Sequence, residues 1–301
     1  MNILITGATG FIGSNFLRLI RSENLFADDK IILLTSREIS GYKCILHKDY
    51  TFTKEDFIKK GIDNVDTVFH LGSSVPKKNS EFGIEHAYKY AMNVRNTMHL
   101  LENIPGLLKK MIFTGTVSVY KNEGIAINEN SPFQTDDMYG ASKIMCEKYL
   151  EAKAQENKFV LQILRLGQIY GPGEEVYSKI VSGFMKLIIN NQPVTVFGDG
   201  SDIRSMLYVD DCCRCIAKSV LFDKYIGPVN IASSQTITVK NLLDLMYSIC
   251  NMKPNIKYGT DKRPDSNIYD NAKMKEYFDI KEISIEQGIR MFYNYYKNKA
   301  E

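Results

Sequence analysis

The sequence predicts an α/β protein: a parallel sheet flanked by helices, followed by a smaller mixed α/β lobe. Three observations carry this. Short apolar runs alternate with helical spacings over the first 170 residues, the pattern of successive βαβ units. A glycine-rich turn joins the first apolar run to the first helical one. From Gly171 the pattern changes: Gly171-Pro172-Gly173 interrupts the chain, and later segments mix short strands with helices. The expected division is residues 1–170 for the sheet domain and 171–301 for the second lobe, with some later segments returning to the sheet.

The elements follow in order. Ile3-Leu4-Ile5 is an apolar run ending at Thr6-Gly7, which reads as a buried strand. Ile12, Phe16, Leu19 and Ile20 recur at helical spacing. Ile31 to Leu34 is a second strand, Val65 to Leu71 another, and Met111 to Phe113 another. A helix from about Tyr139 to Glu156 leads into a strand from Val160 to Leu166. The chain shows no internal repeat and no low-complexity segment.

Composition removes several classes. The 301 residues are 44% hydrophobic and 24% charged, which excludes a disordered or collagen-like chain. A chain of this length buries about 75% of its unfolded surface without disulfide staples. Lys+Arg is 38 against 35 Asp+Glu, so the net charge is +3. That is too small for a protein that wraps nucleic acid, yet it leaves room for a local anion site. No run of 18 apolar residues suggests a membrane span. The start at Met1-Asn2-Ile3 carries no export signal, so a cytoplasmic location is expected. Of the six cysteines, Cys212 and Cys215 form a lone CxxC without a second ligand pair, so buried thiols are expected and no metal.

Gly7-Ala8-Thr9-Gly10-Phe11-Ile12-Gly13 lies between strand and helix. Glycines let backbone N–H groups approach a phosphate, and the helix N-terminus adds about half a positive charge. The spacing is GxxGxxG, and the run GATGFIGS resembles the extended, nucleotide-sugar-modifying branch of the short-chain dehydrogenase/reductase superfamily. The resemblance runs from Gly7 to about Lys273 and implies a Rossmann-type sheet with Gly7, Gly10, Phe11, Ile12 and Gly13 at a nicotinamide dinucleotide. An NAD enzyme places an acid after the second strand, whereas an NADP enzyme places an Arg there. This chain reads Leu34-Thr35-Ser36-Arg37, with no acid at 35 or 36. Ser36 and Arg37 suit a 2′-phosphate, so NADP(H) is favoured, with NAD(H) the other possibility. The resemblance further implies cofactor contacts at Asp49 and Tyr50, at Leu71, Gly72 and Ser73 in a run like HLAA, and at Asn93.

Tyr139 and Lys143 form a YxxxK motif, four apart and so on one helical face. A phenol with pKa near 10 is a poor base, and an adjacent ammonium would favour phenolate. Tyr139 could then move a proton while hydride moves to or from the nicotinamide. The resemblance makes Thr116, four residues before Tyr120, the third catalytic member, and Ser118 an auxiliary substrate contact. The family's 4,6-dehydratases resemble a Thr-Asp-Glu run here, and its decarboxylases carry a Glu two positions after the Thr. Val117 and Ser118 stand instead, which argues against both reactions.

Phe197-Gly198-Asp199-Gly200 and Arg204 to Asp211 resemble the family's nucleotide-sugar signature. The resemblance implies that Arg204, and Arg263 in Lys262-Arg263-Pro264-Asp265, contact the substrate diphosphate, a good partner for guanidinium. Gln168 replaces a substrate-contacting Asn, keeping the amide on a longer arm. The expectation is an oxidoreductase acting on a nucleoside-diphosphate sugar, with NADPH-dependent C4 ketoreduction first and C4 epimerisation with tightly bound cofactor as the alternative. A noncatalytic dinucleotide-binding regulator is a remote third, since Thr116, Tyr139 and Lys143 are all present. The family habit implies a homodimer.

Overall fold

The computed structural model describes residues 1–122, 125–134, 136–260 and 268–300. A seven-stranded, wholly parallel sheet forms the centre. Its strands are β1 (Asn2–Thr6), β2 (Lys30–Thr35), β3 (Lys43–Leu46), β4 (Thr67–His70), β5 (Lys110–Thr116), β6 (Val160–Leu166) and a late strand (Val229–Ile231). In space they run β3-β2-β1-β4-β5-β6 and then that late strand. The order reverses at β1, so the loops after β1 and β4 open a crevice at the carboxyl ends of the strands, where such sheets bind ligands.

The helices are α1 (Phe11–Ser22), α2 (Lys54–Lys59), α3 (Ala87–Asn103), α4 (Met138–Asn157), α5 (Ile180–Ile189), α6 (Val209–Lys218), α7 (Val239–Cys250), α8 (Ala272–Phe278) and α9 (Ile285–Ala300). Parallel strands buried on both faces read as continuous apolar runs, and Ile3, Leu4 and Ile5 are all fully buried. Alternate residues serve opposite layers. Ile3, Ile5, Phe69 and Ile112 pack with α1 and α6, whereas Leu4, Val68, Met111 and Phe113 pack toward α3 and α4.

The remaining strands are β7 (Gln168–Tyr170), β8 (Val194–Val196), β9 (Ile203–Tyr208), β10 (the late sheet strand, Val229–Ile231), β11 (Thr236–Thr238) and β12 (Ile256–Tyr258). Apart from β10, they form a three-stranded sheet, β11-β9-β7, and a two-stranded one, β12-β8. The division at residue 170 is therefore interleaved. The strand β10 pairs with β6, and α6 is tied to α1 through Arg18–Asp210 and Arg214–Glu23. Sequence periodicity missed β3 and β10 because each is too short to show a pattern above its surroundings. Cys212, Cys213 and Cys215 are buried in α6, and burial pushes their thiols up.

One buried ion pair joins the sheet to α4. Arg165 of β6 donates from Nη2 and Nε to the Glu147 carboxylate, at 2.7 and 3.1 Å, with both residues almost fully buried. Arg165 Nη1 donates to the Tyr120 hydroxyl at 2.6 Å, which donates to Asn230 Oδ1 of β10 at 2.8 Å. Removing one partner of such a pair strands a charge. Glu147→Ala is expected to lose about 3–5 kcal/mol of stability by urea unfolding; a loss under about 1 kcal/mol would contradict this role.

Candidate active site

The turn between β1 and α1 is shaped by close approach. A Cβ on Gly13 would lie 2.1 Å from the Gly7 carbonyl oxygen, so only glycine lets the helix start against the turn. Gly10 N donates to Gly7 O at 3.0 Å, which closes the turn. Since α1 begins at Phe11, its first-turn N–H groups lack intrahelical acceptors and are free for an anion.

A buried relay holds the neighbouring strand-end loop. Gly72 N donates to Thr6 Oγ1 (3.0 Å), Thr6 Oγ1 meets His70 Nδ1 (2.8 Å), and His70 Nε2 meets Thr97 Oγ1 (3.0 Å). Thr97 Oγ1 donates in turn to Asn93 O at 2.8 Å. That bond uses the Thr97 proton, so the network assigns the His70 proton to Nε2 and leaves Nδ1 to accept from Thr6. Burial pushes His70 down to about 3, so it stays neutral.

Helix α4 brings the YxxxK residues to the same place. Its N-terminus is capped by Asp137, whose Oδ1 accepts from Tyr139 N at 2.8 Å. A Cβ on Gly140 would lie 2.7 Å from Ser118 O, so a glycine there lets α4 press onto the end of β5. Tyr139 thereby lies beside Thr116, whose Oγ1 accepts from Ser118 N and donates to Ser118 Oγ, both at 3.2 Å. Lys143 is 2% exposed; its Nζ donates to Ser73 Oγ at 3.3 Å and lies 4.2 Å from the centre of the Phe113 ring.

These parts line one cleft of about 440 Å³. Among the expected residues it gathers Gly7, Gly10, Phe11, Ile12, Gly13, Leu71, Gly72, Ser73, Thr116, Tyr139 and Lys143. The fit to a dinucleotide is physical: glycine turn, open helix N-terminus and deep groove are contiguous. The cleft also includes Lys179 and Tyr177, which sequence reasoning missed. No local pattern marks them, because they reach the glycine turn only through the second lobe.

Other expected residues lie elsewhere. Asn93 is buried behind the cleft, accepting from Ser74 N at 2.7 Å and donating to Ser142 Oγ at 3.2 Å; it clamps the loop to α4 rather than facing the cleft. Ser118 lines an adjoining cavity with Gln134 and Tyr269. Tyr50 packs on Phe52 and His47, with ring centroids at 5.3 and 5.0 Å, and both Asp49 and Tyr50 adopt left-handed backbone. Gln168 opens β7, paired with Met206 and next to the cleft-lining Gly167 and Ile169. Arg204 on β9 donates to Ile203 O at 3.2 Å and sits 3.9 Å from Asp202, outside the cleft lining. Arg263 lies outside the described residues. Lys273 donates to Ile226 O and Pro228 O at 2.8 and 2.7 Å, a structural tie.

Arg37 lines a second cavity beside the turn with Arg18, Arg21, Ser14 and Glu38. Glu38 corrects the sequence view of this region: an acid does reach the cavity, because the chain bends after Thr35 and carries it there. Ser36 is not among the lining residues.

The electrostatics differ from expectation at Tyr139. Burial raises its phenol, and the contact that opposes this is Thr116, not Lys143, whose Nζ is directed to Ser73 and Phe113. Burial pushes Lys143 down to about 8, with the nearby Cys146 and Glu147 opposing.

The NAD dependent epimerase/dehydratase family matches residues 3–232, and the chain belongs to that family. An uncharacterized UDP-glucose epimerase of Bacillus subtilis, YtcB, is 29% identical over 292 residues, covering 92% of this chain and 91% of that one. The solved UDP-glucose 4-epimerase of Thermotoga maritima, with UDP-glucose, superposes with a TM-score of 0.84 over 100% of both chains at 24% identity. The UDP-glucuronic acid 4-epimerase of Bacillus cereus in complex with NAD gives 0.84 over 100% of both chains at 21% identity. These findings reverse the ranking drawn from Ser36 and Arg37: they favour epimerisation over NADPH-dependent ketoreduction. Among the described residues no helix is long and apolar enough to cross a membrane.

Burial of Lys143 makes stability depend on pH. Between pH 8 and the ordinary 10.5, the unfolded chain holds a proton that the folded chain lacks, so stability rises with pH across that window. Urea midpoints of the parent should gain on those of Lys143→Met as pH rises from 8 toward 10.5; parallel curves would contradict a buried ammonium.

Proposed function

We propose that this protein is a nucleoside-diphosphate-sugar 4-epimerase that retains a nicotinamide dinucleotide. The observation that carries the reading is the single cleft in which Thr116, Tyr139 and Lys143 face the glycine turn. The bound cofactor would supply a hydride acceptor and donor. Tyr139, entering the step as phenolate, takes the proton of the C4 hydroxyl as that carbon loses hydride, and returns it when hydride comes back to the opposite face. The products balance: a 4-keto sugar forms and is reduced, with no net consumption of oxidant. Thr116, which lines the cleft with Tyr139, holds the reacting oxygen. Lys143 anchors the Ser73 loop and supplies positive charge beneath the site. Val117 and Ser118 stand where the family's dehydratases resemble an acidic pair, which supports this reading over water elimination.

A second reading, net C4 ketoreduction with NADPH, draws on one observation: Arg18, Arg21 and Arg37 around the cavity beside the turn, a setting for a 2′-phosphate. Glu38 in the same cavity suits the ribose hydroxyls of NAD. Incubation with UDP-glucose and related sugar nucleotides separates the two. Epimerisation predicts a mixture of C4 epimers without consumption of added cofactor; stoichiometric NADPH oxidation by 4-keto sugars without epimer formation would overturn it. Tyr139→Phe should lower kcat by about 10²–10⁴-fold, and a parent-like rate would remove Tyr139 from the chemistry.

A further inference from the structure

The Lys143 charge meets a residue outside the YxxxK motif. Its Nζ donates to Ser73 Oγ at 3.3 Å and stands 4.2 Å from the centre of the Phe113 ring. Ser73 belongs to the loop after β4 and lines the cleft. That loop position is clamped on both sides. Gly72 N donates to Thr6 Oγ1 at 3.0 Å, Ser74 N donates to Asn93 Oδ1 at 2.7 Å, and Ser74 O accepts from Asn93 Nδ2 at 3.0 Å. The same Nδ2 donates to Ser142 Oγ at 3.2 Å, and Ser142 directly precedes Lys143 on α4. One asparagine thus fixes the loop that carries the hydroxyl against the helical turn that carries the lysine.

We propose that Ser73 is a positioning residue for Lys143, its hydroxyl holding the ammonium charged and in place at the cleft. The inference rests on the epimerase reading above for where that charge acts, and extends it by one residue. The direction of the bond follows from the chemistry. An ammonium has donors and no acceptor, so Ser73 Oγ accepts. A hydrogen bond made to the charged form favours that form, and so does an aromatic face beneath it. The serine side chain is short, so its clamped loop sets where the oxygen lies. The lysine stem is long and flexible and takes its end point from that oxygen.

The surroundings leave this work to the hydroxyl. Burial pushes Lys143 down to about 8, opposed by Cys146 and Glu147 on its own helix. The Glu147 carboxylate is already engaged by Arg165 of β6. On β4, His70 stays neutral, because burial and the Lys143 charge both lower it. Tyr139 lies one turn earlier on α4, and Lys179 of the second lobe lines the same cleft. The oxygen that Nζ reaches is the neutral one on the loop. Removing it lowers the lysine further, so the folded chain gives up this proton at a lower pH. The charge favours phenolate at Tyr139, so turnover should fall off at a lower pH as well.

The test reads the lysine directly. The full chain is isotope-labelled at lysine Cε, and the Lys143 signal is assigned by its absence from Lys143→Met. Its pH titration is followed by NMR in the parent, in Ser73→Ala and in Ser73→Thr, which keeps the hydroxyl. Ser73→Gly stands in if the Ala variant fails to fold. The expected result is a Lys143 midpoint lowered by about half a pH unit or more in Ser73→Ala and returned to the parent value by Ser73→Thr. With NAD present, the alkaline limb of kcat for sugar-nucleotide epimerisation should move down with the midpoint, while KM stays at the parent value. A parent-like midpoint in Ser73→Ala overturns the proposal, as does a fall that Ser73→Thr leaves in place. An alkaline limb that stays while the midpoint falls also overturns it, because the held charge then does not act in the reaction. A parent that epimerises no sugar nucleotide overturns the epimerase reading alone, and the lysine titration still decides whether Ser73 holds Lys143.

Discussion

The reaction geometry depends on how α4 lies against the sheet, and the Glu147–Arg165 pair sets that. Glu147 is one turn beyond Lys143 on the same buried face of α4. Its two-pronged bond to Arg165 resists rotation of the helix in a way that a greasy contact would not. Arg165 also grips Tyr120, at the end of the segment that begins with Thr116, and Tyr120 reaches Asn230 on β10. One guanidinium thus holds α4, the strand carrying the Thr and the late strand of the sheet in common register. Such a pair adds little net stability over an apolar replacement of the same shape. Its effect is on position: Thr116 and Tyr139 line the same cleft because the helix and strand that carry them are held in register.

A second polar relay does for the glycine-turn side of the cleft what this pair does for the Tyr139 side. The chain from Gly72 through Thr6, His70 and Thr97 to Asn93 crosses from β1 through β4 to α3. Asn93 then clamps Ser74 and reaches Ser142 on α4. The Leu71-Gly72-Ser73 loop is therefore held from below by neutral donors and acceptors, and Lys143 bonds it from α4. Burial keeps that lysine's ammonium weakly held, so its protonation is sensitive to whatever the cleft contains.

The balance between reading this protein as an epimerase and as a reductase turns on retention of the cofactor. An epimerase must keep the dinucleotide through two opposite hydride transfers, whereas a reductase must release it each turnover. The backbone bond from Ser178 to Lys77 closes the second lobe over the loop after β4. Lys179 and Tyr177 follow that closure to the glycine turn. Contacts of this kind would slow release of a bound dinucleotide, in keeping with the proposed epimerase.

The sequence by itself determined the sheet, the glycine turn and the Tyr139–Lys143 face. Each is written in local spacing: consecutive apolar residues for a doubly covered strand, glycines where the backbone must approach itself, and four residues for one helical turn. The Thr116 assignment was also legible, though only through resemblance to a family, since nothing in Phe113 to Tyr120 distinguishes one hydroxyl from another. The tertiary structure decided the rest. It turned Asn93 into a clamp, brought Glu38 to the cavity that had shown only Arg37, and directed Lys143 to Ser73 instead of the Tyr139 phenol. It also carried Lys179 to Phe11 from far along the chain. These outcomes depend on which distant backbones the parallel crossovers and the returning second lobe bring within a few ångströms, and no local periodicity encodes that distance.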